Sequence, residues 1–412
     1  MKWKKAAAAV SILLALQLIL SGCWFNASKD SKVKNSEGKT ENASLIPSTN
    51  DSDYQMLRPK SGNTTRGYIQ YGPDNRVDMD QLESGLMDLS KNVFGPGDYV
   101  FQSGQYLTDK DINSMLYRYM NEPQRLANKK TNDSSKRQPV VDGLNPKLGK
   151  GKNIVEQSKN SPKYLNYVLE QDYMKKNSSG AYKIAGMSIA LSLNSVYADS
   201  INYKDKLYPI SEKLNQAKVK EWGKSQAAKV VQRIRSLKDS ENQPIQELQN
   251  IPIYVTLYMT SAPDSLVPGN FFASTEVASG SRSINKWTTI KQQHVLFPSD
   301  QATKDYKSDL QKFDQFKTDI QKYYPNYLGV IGKGFYQNDE LADITLEINF
   351  NKFVDKTELI GFTNYVASVV KNRLAFPQHV PVHIYISSGS NAEALVERTK
   401  DMDEPYVHIY QQ

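Results

Sequence analysis

The chain contains a single cysteine, Cys23, in 412 residues. A lone thiol forms no internal disulfide, so the folded body must rest on its apolar core and its hydrogen bonds. The position of Cys23 constrains the chain further. Lys2, Lys4 and Lys5 open the sequence, Ala6 to Leu20 is apolar except for Ser11 and Gln17, and Leu20-Ser21-Gly22-Cys23 follows. A positive start, an apolar run and small residues form the order of a secretory signal peptide. The run is about 15 residues, shorter than the ~20 a membrane-spanning helix needs. Ser21 and Gly22 before a cysteine are what lipoprotein processing requires: a diacylglyceryl group on the Cys23 thiol, then cleavage between Gly22 and Cys23. The expectation is a lipoprotein held on the extracellular face of the cell membrane by acyl chains. Its partners are then that membrane and the lipoprotein-processing enzymes.

Loss of the leader lysines leaves 49 basic residues from 52, against 44 acidic ones, a net charge of +5. The charges are interspersed, whereas a nucleic-acid binder concentrates them in one run or face, so no nucleic-acid partner is expected. Mean hydropathy is −0.60, yet 39% of residues are hydrophobic, enough to build cores. The 25 tyrosines suit strands, wet interfaces and sugar stacking alike.

Pattern along the chain predicts an α+β fold in six segments: a signal peptide over 1–22, a disordered tether over 23–60, a small N-terminal α+β unit over 61–150, a strand-helix-strand unit over 151–270, a connecting loop and helix over 271–338, and a second strand-helix-strand unit over 339–412. The tether is rich in Ser, Asn, Lys, Asp, Glu and Thr, a composition that buries little. As a flexible coil it reaches roughly 35 Å. In the N-terminal unit Gly67–Tyr71 alternates like a strand, and Met79, Leu82, Leu86 and Leu89 share a helical face. Tyr99–Leu107 reads as another strand, and Thr108 caps a helix through Ile112, Met115, Leu116 and Tyr119.

The two larger units read as a weak internal repeat. Gly186–Leu193, a helix carrying Ala227, Val230, Val231, Ile234 and Leu237, and Ile251–Leu257 form the first copy. Ile344–Phe350, a helix carrying Leu359, Phe362, Thr363, Val366, Val369 and Val370, and Val380–Ile386 form the second. Each closing strand has a proline near its start, where no ladder donor is lost. Two parallel strands joined by a crossover helix is the simplest form of each copy. Between them Phe271–Pro298 lacks periodicity, Lys304–Tyr324 reads as an amphipathic helix, and a short helix near Ala392–Arg398 precedes a last strand at Tyr406–Tyr410.

No pattern sets up catalysis. His379 and His383 sit ~13 Å apart if they lie on a strand, too far for one metal with ligand bonds of about 2 Å. Ser283 and Lys286 have a Ser-x-x-Lys spacing without its helper motifs. Gly329–Gly334 resembles a phosphate loop but lacks the Gly-Lys-Ser/Thr step. No catalytic residue, metal or cofactor is expected.

Gly-Pro-Gly-Asp-Tyr at 95–99, Pro-Gly-Asn-Phe-Phe at 268–272 and Gly-Ser-Arg-Ser-Ile-Asn-Lys-Trp at 280–287, behind the leader and Cys23, resemble the CamS family of sex-pheromone lipoproteins of Gram-positive bacteria. The resemblance spans nearly the whole chain. It implies that the released leader yields a short peptide sensed by a receptor on conjugating bacteria, here Leu16-Gln17-Leu18-Ile19-Leu20-Ser21-Gly22; for the mature body, the lack of a catalytic pattern leaves a non-enzymatic surface protein as the expectation. The alternative is a cell-envelope module for wall glycan or peptide, with Phe271, Phe272, Arg282 and Trp287 as its surface.

Overall fold

Two sheets carry the fold, and at the centre of each lies a parallel strand pair. The computed structural model describes residues 29–59, 73, 75–120, 142–324, 328–351 and 355–411. The leader, Cys23 and the strand expected at 67–71 lie outside the described residues.

The first sheet draws on β1 (Lys29–Lys34), β2 (Thr40–Ile46), β3 (Met56–Pro59), β4 (Val100–Ser103), β5 (Leu165–Lys176) and β6 (Tyr182–Leu193). A separate hairpin, β7 (Val196–Tyr203) and β8 (Lys206–Lys213), interrupts it before β9 (Ile253–Met259), β10 (Asn270–Val277) and β11 (Thr288–Thr289). Its nine strands run β1-β2-β3-β4-β5-β6-β9-β10-β11. The second sheet holds six strands in sequence order: β12 (Gln292–Phe297), β13 (Leu328–Gln337), β14 (Glu340–Phe350), β15 (Val382–Ser388), β16 (Asn391–Arg398) and β17 (Tyr406–Ile409). The helices are α1 (Arg76–Ser90), α2 (Asp109–Leu116), α3 (Ile154–Lys159), α4 (Gln216–Ile234), α5 (Gln246–Gln249), α6 (Asp300–Asp305), α7 (Lys307–Gln321) and α8 (Lys356–Asn372).

The expected repeat is present as topology. α4 joins parallel β6 and β9, and α8 joins parallel β14 and β15. Each pair is flanked by antiparallel strands, so β5-β6-β9-β10 and β13-β14-β15-β16 have the same order and sense. The two prolines occupy equivalent places: Met187 N donates to Pro252 O at 3.2 Å and Ile344 N to Pro381 O at 3.1 Å.

The copies differ in cover. Every residue of β9 is buried, because the first sheet has layers on both faces. Met187, Ile189, Val255 and Leu257 face Ala227, Val230, Val231 and Ile234 of α4. Ala190, Tyr258 and Phe271 instead pack under Met79, Leu82 and Leu86 of α1. In the second sheet Ile344, Leu346, Ile348, Ile384 and Ile386 meet Phe313, Phe316 and Ile320 of α7 and Phe362, Val366 and Val369 of α8. The alternate positions Thr345, Glu347, Asn349, His383 and Tyr385 are half-buried or exposed.

Three expectations are corrected. The tether expected over 23–60 is strand from Lys29 onward: β1, β2 and β3 belong to the first sheet, and Val33 meets Tyr182 of β6, closing β1 to β6 into a ring. The segment is polar on average, but Val33, Ala43 and Leu57 sit where the pleat turns inward, Tyr54 enters from the stretch before β3, and all four are buried. The connecting region expected over 271–338 contributes to both sheets through β10 to β13, and a boundary at 271 cuts β10. The helix expected near Ala392–Arg398 is β16, with Ala394, Val396 and Arg398 buried at alternate positions. Pairing with β15 and β17 overrides the helix propensity of its Ala and Glu residues. By contrast α2 starts as expected, with Thr108 and Asp111 closing a capping box.

Candidate functional site

Leu16, Gln17, Leu18, Ile19, Leu20, Ser21, Gly22 and Cys23 lie outside the described residues. Of the surface expected at Phe271, Phe272, Arg282 and Trp287, one ring is withdrawn into the core and the other two are half-buried. Phe271 is fully buried and stands edge-on to Tyr258, with ring centroids 4.9 Å apart. Its ring fills the space at Gly85 of α1, where a Cβ would lie only 2.7 Å away. Phe272 and Trp287 pack against the main core, and Lys220 covers the Phe272 ring at 5.0 Å. Arg282 donates to Ser236 Oγ, to Arg235 O and to Gln249 Oε1.

Arg235 organises that loop. It is 1% exposed, donates to Leu248 O through Nη1, and reaches Ala278 O and Ser281 O at 3.2 Å each through Nη2 and Nε. Gly280 completes the turn with φ of +74°, a conformation side-chain-bearing residues rarely adopt. The other two segments behind the resemblance are joints as well. Gly269 N donates to buried Asp78 at 2.7 Å, and Asp78 also accepts the Tyr258 hydroxyl at 2.5 Å and Ser261 Oγ at 2.8 Å. Gly95 O accepts from Asp98 N and Tyr99 N at 3.0 and 3.1 Å.

A pair of carboxylates escapes sequence reasoning. Glu170 and Asp172 share one side of β5, 7% exposed and fully buried respectively. Tyr106 N and Leu107 N donate to Glu170 at 3.0 and 2.7 Å, and Gln105 N donates to Asp172 Oδ2 at 3.0 Å. Asp172 Oδ1 is buried with no partner. Burial pushes both carboxyls up, Asp172 strongly, because the neighbouring Glu170 charge adds to the desolvation. The two carboxyls are coupled, and burial biases both toward the protonated form. Beside it lies a groove of about 660 Å³ whose wall includes Glu83, Tyr167, Glu170, Gln171 and Gln105. Glu83 is also pushed up, by desolvation first and then by Asp80. Paired, perturbed carboxylates mark candidate acid-base sites. Here Asp172 has no surface and Glu170 is held by backbone amides, so the pair fastens the 104–107 turn to β5. The visible signal was Glu170-Gln171-Asp172 inside an otherwise buried strand.

The isosteric change Asp172→Asn tests this role. A raised carboxyl pKa favours the folded state at low pH and costs stability as pH rises through it. Asn needs no proton, so the variant is expected to match or exceed the parent in stability at pH 8, by about 1–2 kcal/mol, with the advantage gone near pH 4. Urea melts at both pH values check this. An Asn variant less stable at pH 8 than at pH 4, relative to the parent, would contradict the upward shift of the Asp172 carboxyl.

His383 lies on the partly open face of the second sheet, between Asp343 Oδ2 at 3.0 Å and Glu397 Oε1 at 3.1 Å. The Asp343 hydrogen bond, against burial, holds it above the usual histidine range. His379 is exposed in a turn. His294 joins the two sheets: its backbone N donates to Asn270 Oδ1 at 2.8 Å, its Nδ1 lies 3.0 Å from Gly269 O, and burial pushes its ring down to about 4. Among the described residues no group of three or more His, Cys, Asp or Glu is placed to hold a metal ion. Ser283 and Lys286 are both exposed.

Residues 61–404 match the protein-family model described as CamS sex pheromone cAM373 precursor. Among solved structures the chain is similar to a sex pheromone precursor from Lactobacillus salivarius subsp. salivarius UCC118, with a TM-score of 0.73 and 28% identity over 90% of this chain and 99% of that one. It is similar also to the C-terminal domain of the sex pheromone staph-cAM373 precursor from Staphylococcus aureus, with a TM-score of 0.65 and 29% identity over 82% of this chain and 98% of that one. No curated protein matches the chain.

Proposed function

Because the chain belongs to the CamS sex pheromone precursor family, we propose that it is made as a lipoprotein, lipidated at Cys23, whose cleaved leader supplies a pheromone-like peptide ending at Gly22. The observation that carries this reading is the order of the first residues: a basic start, an apolar run, then Leu20-Ser21-Gly22-Cys23. The released fragment Leu16–Gly22 is apolar except at Gln17 and Ser21 and suits a peptide receptor on a recipient cell. The mature body stays on the extracellular face of the membrane and is not an enzyme; the burial of Asp172 and the tying of Glu170 to backbone amides support that reading. Only Trp24–Ser28 separate Cys23 from β1, a covalent reach of at most ~20 Å. The body is then held against the headgroups.

A second reading, an envelope module for wall glycan or peptide, draws on the groove beside Tyr167. That ring, the Gln105 amide and the Glu83 carboxylate offer the aromatic face and hydrogen-bonding groups that sugars use.

One experiment addresses both. In Cys23→Ala cells, metabolic lipid labelling and membrane retention are expected to vanish. A peptide ending at Gly22, present in the parent medium by mass spectrometry, is expected to disappear with them. Unchanged labelling and fractionation would overturn the lipoprotein reading. A released body that sediments with purified wall would favour the second.

A further inference from the structure

A cavity of about 470 Å³ opens between α2, the 117–120 segment, α3 and β7. Its wall is largely apolar, with Leu116, Leu148, Ile154 and Ile201 prominent, but two cations enter it, Arg118 and Lys163. One carboxylate, Asp199, stands with them. Lys163 Nζ is 3.9 Å from Asp199 Oδ2, a long contact. The same oxygen already accepts the Tyr197 hydroxyl at 2.8 Å. Arg118 Nη1 holds Pro146 O and Ser161 O at 3.0 and 2.6 Å, and Nη2 turns inward to the Tyr197 oxygen at 3.3 Å. The guanidinium is thereby fixed in place, while among the described residues Lys163 makes no closer ion pair.

Among the described residues, two positive charges therefore share one carboxylate at the wall of a cavity with room for a small molecule. Desolvation holds Lys163 below its ordinary range, with Arg118 pushing the same way and Asp199 opposing. With 35% of its side chain exposed and only a long contact to Asp199, Lys163 is open to a ligand carboxylate that replaces the water beside it. The volume is that of a small-molecule site, in which an apolar wall gives affinity and a few polar groups give orientation.

We propose that this cavity binds a small amphiphilic carboxylate, its carboxylate received by Lys163 and Arg118 and its apolar portion lying along Leu116, Ile154 and Ile201. Two sources share this chemistry, an acyl chain and the C-terminus of an apolar peptide. The geometry suits both, since each presents one carboxylate on an apolar stem.

The test is titration calorimetry on the mature chain from residue 23, with Cys23→Ser in place of the lipid. The probes are octanoate, N-acetyl-Leu-Leu, and their uncharged counterparts octanol and N-acetyl-Leu-Leu-amide. At least one acid is expected to bind at least tenfold more tightly than its uncharged counterpart. Octanoate alone binding identifies the acyl source, the dipeptide acid alone the peptide source, and both together the shared head group. Lys163→Met is expected to weaken the acid at least tenfold with the thermal transition retained. Asp199→Asn, which removes the competing carboxylate, is expected to tighten it several-fold. The proposal is overturned if neither acid binds at millimolar concentration, or if binding is indifferent to both substitutions in folded protein.

Discussion

Deleting residues 29–59 is expected to unfold the first sheet. The deletion removes three strands and the buried side chains of Val33, Ala43, Tyr54 and Leu57. Burying each large apolar side chain contributes about 1.5–3 kcal/mol, against a whole-domain stability of about 5–15 kcal/mol. It also strips β4 and the first residues of β6 of pairing partners and takes away the Tyr54 ring, which packs at 5.3 Å from Tyr173. A point change gives a graded version. Leu57→Ala is expected to cost about 2–5 kcal/mol, whereas Lys32→Ala, on an exposed position of β1, should stay within about 0.5 kcal/mol. Urea denaturation followed by tyrosine fluorescence reads both. A deletion mutant that keeps the parental midpoint would mean that β1 to β3 lie on the sheet without supporting it. That result would restore the tether.

That segment shows where sequence pattern fails. The strand-helix-strand copies were legible because period-2 strands, period-3.6 helices and the marks of Pro252 and Pro381 reinforce one another over long stretches. α1 was legible for the same reason, since Met79, Leu82 and Leu86 are spaced for one face. β1 to β3 were not, because each short strand buries only one or two inward residues, and Val33 or Ala43 amid Lys, Asn and Glu does not shift the local composition. Glu170 and Asp172 were invisible as a pair because their meaning depends on the Gln105–Leu107 amides, more than sixty residues away. The burial of Phe271 was not legible for another reason: a loop without periodicity can be wet or dry, and tertiary contacts decide which. Phe271 was drawn inward by the gap at Gly85, and Arg282 was taken up by carbonyl and amide oxygens of a neighbouring turn.

The same loop supplies the second large effect. Arg235→Met is expected to destabilise the protein by about 3–5 kcal/mol, since it leaves the carbonyls of Leu248, Ala278 and Ser281 without their donor. Met restores most of the volume, so the loss is of hydrogen bonding rather than of packing. Arg282→Met removes an exposed partner of the same loop and is expected to cost less than about 1 kcal/mol. The contrast separates the two arginines by burial, 1% exposure for Arg235 against a solvent-facing Arg282. Limited trypsinolysis gives an independent reading: with Arg235 gone the 278–287 loop is freed, and cleavage after Arg282 should accelerate well before global unfolding. Equal stabilities for the two variants, with no change in cleavage, would show that the loop is held by Phe272 and Trp287 packing instead. The 280–287 segment would then owe its place to aromatic burial and not to the guanidinium beneath it.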